Sequence, residues 1–412
     1  MRCPLLVPAA LWLTVALGGC ALGEERPTGL PTAPGPDGPP QLEPDGPTRP
    51  ARPPGRPPGS PAPAPPLDTV SATKNTTRLG GATPTVTAAQ VALAVFPGNG
   101  PDSGPPAVAL VDAGDWQGTL AAAMLAAAPV GAPVLLSEGG TLSPETRQAV
   151  ARVQPGGMPR AGGVQVLRVG ERAPAPAGLR STLIGDADPY RVAAAVDAFA
   201  SSLRRRPSSD VVVASGERPE WSMPAAAWAA RSGDALLLVR QGAVPGATQR
   251  ALRAHGRPDI FVLGPEQAVG AGAVRALRRF GRVRRVAGPS PVENAVEFAR
   301  YSHGGRAGFG WGATVPGYNF TVASTGRPLD AAAAAALGSN GVFAPLLLSD
   351  DGGVPRALED YLLDVQPGYE DDPGDGVYNR VWVLGPDAAI SVGAQARLDE
   401  VTQLVPVRTR AP

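Results

Sequence analysis

Cysteine is nearly absent from this 412-residue chain: there are two, Cys3 and Cys20, both at the extreme N-terminus. No disulfide framework and no cysteine-based zinc site is therefore possible in the body of the protein. Histidine is as scarce, with only His255 and His303, too few for a histidine metal centre. Lysine occurs once, at Lys74, so the basic charge is almost wholly arginine. Formal net charge is +1, which leaves no global field to draw the chain to nucleic acid. No apolar run reaches the ~20 residues that a membrane-spanning helix needs. Phosphate-loop, dinucleotide and G-x-S-x-G motifs are missing as well, so no nucleotide cofactor or serine-hydrolase elbow is expected. The reading calls for no cofactor, no metal and no catalysis.

What is present starts with "MRCPLLVPAALWLTVALGGC". One positive charge, Arg2, precedes an apolar run from Leu5 to Leu17 that fits the core of an export signal. It ends in "LGGC", which resembles a bacterial lipobox. The resemblance implies cleavage after residue 19 and a diacylglycerol on the Cys20 sulfur, placing the protein on the extracytoplasmic face of the cell membrane. Residues 20–75 then read as the lipid attachment site and a disordered spacer. Seventeen of residues 21–70 are proline, a composition that cannot bury a core and favours extended chain with a reach of up to about 150 Å.

Beyond the spacer the chain repeats. "LGGATPTVTAAQVA", "LIGDADPYRVAAAV" and "VAGPSPVENAVEFA" align on Gly81, Gly185 and Gly288, spaced 104 and 103 residues apart. Each shows an apolar strand end, a glycine turn, a cap residue (Thr83, Asp188, Ser290) and a proline at the first helical position. Glu293 adds the elements of a capping box. Similar landmarks follow in order in every copy: a strand such as "DVVVA", an alanine-rich helix, a leucine strand ("APVLLS", "DALLLV", "APLLLS"), a helix opening at Pro144, Pro245 or Pro355, and a strand ending in glycine. Continuous apolar strands alternating with helices predict α/β modules with mainly parallel sheets. The predicted boundaries are 76–178, 179–281 and 282–412.

These pieces ("RLGGAT", "VVVASGE", "APLLLS", "IFVLGP", "VWVLGP"), taken in order, resemble the type-2 cell-wall-binding repeats of Gram-positive surface proteins. The resemblance covers about residues 76–407. It implies three modules packed around an approximate threefold axis, a monomer with an intramolecular trimer of repeats, and non-catalytic binding of an anionic secondary wall polymer or peptidoglycan-associated glycan. It also implies a role for the leucine strand, here Leu135, Leu136, Leu237, Leu238, Leu347 and Leu348, although the same leucines fit plain core packing. The chain departs from the family where an arginine is common, having Pro84, Pro189 and Pro291 instead. An envelope scaffold with a protein partner, or a wall-acting hydrolase, stay open as alternatives.

Two further features are candidate contacts. In "RALRRFGRVRR", Arg275, Arg278, Arg279 and Arg282 would share one helical face and could pair with phosphates or carboxylates. The third copy carries an insertion, residues 302–320, whose Trp311 could stack on a sugar ring; a glycine-rich loop folded over a module junction would look the same. The acidic stretch "SDDGG", with Asp350 and Asp351 at a strand end, is the best candidate for acid chemistry.

Overall fold

The computed structural model describes residues 67, 70–98, 100, 103–305, 308–341, 344–350 and 352–407. The export signal, Cys20 and most of the proline-rich spacer lie outside the described residues. The last residues of the expected spacer are corrected: Ser71–Ala72 pairs with the following strand and Asn75 is buried against Asp399, so the folded body begins before residue 76.

The first repeat contributes β1 (Ser71–Ala72), β2 (Thr76–Leu79), α1 (Pro84–Val95), β3 (Val108–Asp112), α2 (Trp116–Ala122), β4 (Val134–Ser137), α3 (Pro144–Val153) and β5 (Val166–Val169). The second contributes β6 (Ser181–Ile184), α4 (Pro189–Arg204), β7 (Asp210–Ser215), α5 (Pro219–Ser232), β8 (Ala235–Val239), α6 (Gly246–Ala254), β9 (Asp259–Leu263) and α7 (Ala271–Leu277). The third contributes β10 (Arg282–Val286), α8 (Pro291–Arg300), β11 (Asn319–Ser324), α9 (Pro328–Ala333), β12 (Leu346–Ser349), α10 (Arg356–Asp364), β13 (Gly368–Tyr369), β14 (Arg380–Leu384), α11 (Val392–Val401) and β15 (Val405–Pro406).

The helix starts form as their chemistry dictates. Thr83, Asp188 and Ser290 each accept a hydrogen bond from the amide three residues on, at 3.4, 2.8 and 3.2 Å. Proline occupies the first helical turn in all three, where an amide hydrogen would find no helical partner.

Three four-stranded parallel sheets result, with orders β4-β3-β5-β6, β8-β7-β9-β10 and β12-β11-β14-β2. β1 adds an antiparallel edge to β2. Each repeat thus hands its leading strand to the sheet of the repeat before it. The first repeat's β2 has no predecessor and closes onto β14, some 300 residues along the chain. Every residue of β3, β4, β8 and β12 is buried, as expected of strands covered on both faces.

The strand register corrects the repeat alignment. Ile184 pairs with Val169, Val286 with Leu263 and Leu79 with Leu384, so Leu79, Ile184 and Val286 are equivalent. Gly185 therefore corresponds to Gly80, not Gly81, and to Ala287. Gly80 and Gly185 both have positive φ, +145° and +82°. A side chain on Gly80 would also run into the Gly385 backbone.

α2, α5 and α9, the equivalent helices after each central strand, pack on one another in all three pairings. Each contributes alanines with at most 1% exposure to a shared core, including Ala122, Ala226 and Ala332. Alanine lets helix axes approach to about 8 Å, the short end of the packing range, which explains the three alanine blocks in physical terms. The leading helices pack cyclically: α4 against α2, α8 against α5, and α1 against α9. One continuous core consequently mixes residues from all three repeats, such as Leu120, Trp228 and Ala332.

Candidate functional site

In each sheet the strand order reverses beside the central strand, and in parallel α/β sheets ligands gather outside the carboxyl ends at that point. The loops there follow Asp112, Ser215 and Ser324, which are equivalent by register with Ser137, Val239 and Ser349 beside them. Each such loop faces the leading helix of a neighbouring repeat, so a strand-end loop and a module junction coincide.

The three junctions share a geometry but not a chemistry. Where the third module meets the first, Thr87 of α1 hydrogen-bonds the fully buried Asp330, which also takes Nε and Nη2 of Arg327. Burial raises the Asp330 pKa, while Arg327 and Thr87 oppose the rise. Between the second and third modules, Asn294 of α8 stands in the Thr87 position and donates to the Trp221 carbonyl at 3.5 Å. Between the first and second, the equivalent Val192 is apolar, and Gln117 of α2 donates to the Gly216 carbonyl at 3.2 Å. Tyr190 packs there so closely on Gly216 that a Cβ would sit 2.7 Å from its ring, and Arg240 lies over that ring at 5.1 Å.

Around this last junction the polar groups are strongly interlinked. Asp112 is buried and accepts from the amides of Gly114 and Gly140 at 3.0 and 3.1 Å, with Arg172 at 3.6 Å. Asp115 caps α2 through Gly118 at 2.8 Å, and burial raises its pKa. Arg191, Arg218 and Arg240 are each about half exposed and pair with Asp186, Glu220 and Glu217.

Reading the sequence did not single out two arginines that hold the strand ends. Arg78 and Arg285 occupy equivalent positions of β2 and β10. Arg78 donates to Gln395 at 2.9 Å and to the Gly385 and Ile390 carbonyls at 3.0 and 2.8 Å. Arg285 does the same with the Gly264 and Val269 carbonyls. Burial lowers both guanidinium pKa values. The recurring arginine of "RLGG" and "RRVAG" was the available signal. In the second module His255 bonds Asp197 and the Ser208 carbonyl, both at 2.8 Å, another pair that no spacing announced.

The six leucines do not face a ligand. Leu135, Leu136, Leu237, Leu238, Leu347 and Leu348 have zero exposure, because helices cover their strands on both faces although each strand is the last of its sheet. They are core residues, which corrects the polymer-contact expectation for them. The arginine face is also corrected. α7 ends at Leu277, Arg278 and Arg279 sit in the following turn, and Arg282 opens β10. Gly281 and the alternating valines of β10 favour an extended edge strand over a continued helix. Arg275, Arg278 and Arg279 are exposed, whereas Arg282 holds Asp259 in a bidentate pair at 2.8 and 2.9 Å. Trp311 is half-buried and packs edge-on to Trp228 with centroids 5.4 Å apart. Its neighbour Phe309 stacks on Phe261 at 3.6 Å, so the insertion folds over the junction of modules two and three. Asp350 is exposed at the end of β12; Asp351 lies outside the described residues.

Comparison with known proteins supports the architecture. The chain is similar in structure to Cwp6 from Clostridium difficile, with a TM-score of 0.63 and 16% identity over 80% of this chain and 48% of that one. It is likewise similar to Cwp8 from Clostridium difficile, with a TM-score of 0.60 and 19% identity over 80% of this chain and 52% of that one. The chain spans about half the length of these two cell wall proteins. No family model and no curated protein matches the sequence. At these identities the likeness shows the fold: α/β modules with mostly parallel sheets.

Proposed function

We propose that this chain is a non-catalytic surface protein that binds an anionic wall polymer or glycan at its three module junctions. The observation that carries the reading is the closed triad of equivalent helices, which sets three strand-end loops against three leading helices in one compact unit. Three weak grooves in one chain act at high effective concentration, so modest contacts add up to firm retention. The structural likeness to two C. difficile cell wall proteins supports a wall-associated role. In this reading Cys20 carries a lipid and the proline-rich spacer lets the triad reach from the membrane into the wall.

The test is a pull-down with isolated sacculi before and after removal of secondary polymers. Retention lost on stripping supports polymer binding. Retention unchanged by stripping defeats it and favours a scaffold that contacts a protein. One observation gives that second reading weight: Arg172, Arg191, Arg218 and Arg240 all have acidic partners within the chain, so positive charge at the first junction is neutralised in place. Release of the protein from membranes by Cys20→Ala tests the anchor separately.

A further inference from the structure

The amino ends of β7 and β8, opposite the junction loops of that sheet, border a polar cleft of about 520 Å³ roofed by the glycine-rich insertion. Asp210 and Asp234 stand side by side there, since the ladder pairs Val211 with Ala235 one residue on. Adjacent strands lie about 4.8 Å apart, which brings the two carboxylates within reach of a single bound group. Trp228 fixes one of them, its Nε1 donating to Asp234 Oδ2 at 2.9 Å. Trp311, Tyr318 and Arg231 also line it. Among the described residues the Trp311 Nε1 is buried with no hydrogen-bond partner.

The threefold repetition supplies an internal control. By register the Asp210 position is Ala107 in the first module and Asn319 in the third, and the Asp234 position is Ala132 and Ala344. Two of three copies of the same sheet therefore fold without either carboxylate, so the fold does not require the pair. Burial raises the pKa of both acids; Asp210 adds to the rise at Asp234 and Asp259 to that at Asp210, while Arg204 opposes the first and His303, Arg284 and Arg282 oppose the second. Holding two carboxylates together in a half-buried cleft costs free energy that a bound cation would offset. The aromatic rings offer an apolar face to the C–H side of a sugar, and the carboxylates offer charge-assisted acceptors to an ammonium group.

We propose that this cleft binds an amino sugar with a free ammonium group, the ammonium between Asp210 and Asp234 and the ring against Trp311. The site is separate from the junction grooves, and its ligand has the opposite charge to the polymer assigned there.

The probe is the β-1,4-linked trimer of glucosamine, titrated into the full chain at neutral pH with tryptophan fluorescence and calorimetry as readouts. The expected result is saturable binding. Affinity should fall at least about tenfold for the N-acetylated trimer, which lacks the charge, and by a similar factor in Asp210→Asn and Trp311→Ala. Trp311→Ala risks unfolding because the indole also packs in the core; Asp210→Asn, at an edge where Asn319 is the natural equivalent, keeps the test decisive. Absence of saturable binding, equal affinity for the N-acetylated trimer, or full affinity in a folded Asp210→Asn variant would overturn the proposal. None of these outcomes bears on the sacculus pull-down.

Discussion

Replacing Arg78 with methionine isolates the clamp that closes the triad. Methionine keeps much of the apolar stem and removes the guanidinium. Four hydrogen bonds go: one to Gln395, two to the Gly385 and Ile390 carbonyls, and a long one to the Ser391 carbonyl at 3.5 Å. Arg78 is only 6% exposed, so its former partners are left with few routes to water. Charged donors contribute about 1.5–3 kcal/mol each, and stranding buried acceptors adds to the loss. Relief of the guanidinium's own burial cost works the other way, consistent with its lowered pKa. The pair with Asp387 adds little, since that carboxylate is 66% exposed. The balance is a loss of about 3 kcal/mol, in the range for breaking one partner of a buried polar network.

The loss should be local before it is global. β2 reaches β14 only through the whole intervening chain, whereas β10 follows β9 directly through α7. Hydrogen exchange should therefore quicken about a hundredfold at Val381 and Gly385, whose amides bond Asn75 and Leu79, and stay unchanged at Gly264, which bonds Val286 in the second module. Urea unfolding gives the global figure. A loss below about 1 kcal/mol, or equal acceleration at Gly264, would refute the view of Arg78 as the clasp of a noncovalently closed ring.

Other perturbations test neighbouring claims. Leu237→Ala should cost about 2–5 kcal/mol in chemical denaturation while leaving sacculus retention per folded molecule intact; a binding defect at full stability would restore the leucine to the ligand site. Gly216→Ala should destabilise by about 1–3 kcal/mol through its clash with Tyr190, and Tyr190→Leu should recover part of that in a double-mutant cycle. Burial is the largest single influence on His255 and opposes its charge, but the hydrogen bond and charge of Asp197 together with the Ser208 carbonyl outweigh it and the pKa is raised. Its contribution is complete below the ordinary histidine pKa of about 6.5 and fades as pH climbs through the raised folded value. Stability measured from mildly acidic to mildly alkaline pH should decline more steeply in the wild type than in His255→Gln, and parallel slopes would disprove the linkage. Asp234, pushed up to about 6, should cost the folded state stability as pH rises from the ordinary carboxylate range through about 6, so Asp234→Asn should lessen the wild type's loss across that window in urea unfolding.

Local chemistry made much of the fold legible. Cap residues, prolines at first helical turns and runs such as "ALLLV" specify their elements through contacts within a few residues or through plain burial, so helices and strands follow the amino-acid order closely. The one-residue slip at Gly185 arose because glycine alone does not fix register; the strand partner does. The arginine stretch misled for a related reason: its helical spacing held, but β9 offered an open edge, and pairing with it drew residues 282–286 into an extended strand. Leu135 and its counterparts could be read as core or as ligand contacts, and only the helices laid over both sheet faces decided between them.

The sequence by itself determined that one α/β unit occurs three times, where its helices begin, and that alanine blocks recur at equal places. Tertiary structure alone decided that each unit lends its first strand to the one before, that the loan closes into a ring through Arg78, and that Asp210 meets Asp234. Those facts depend on pairings between residues tens to hundreds of positions apart. Such contacts leave no periodic trace in the chain because they are chosen by packing energy after the local elements exist.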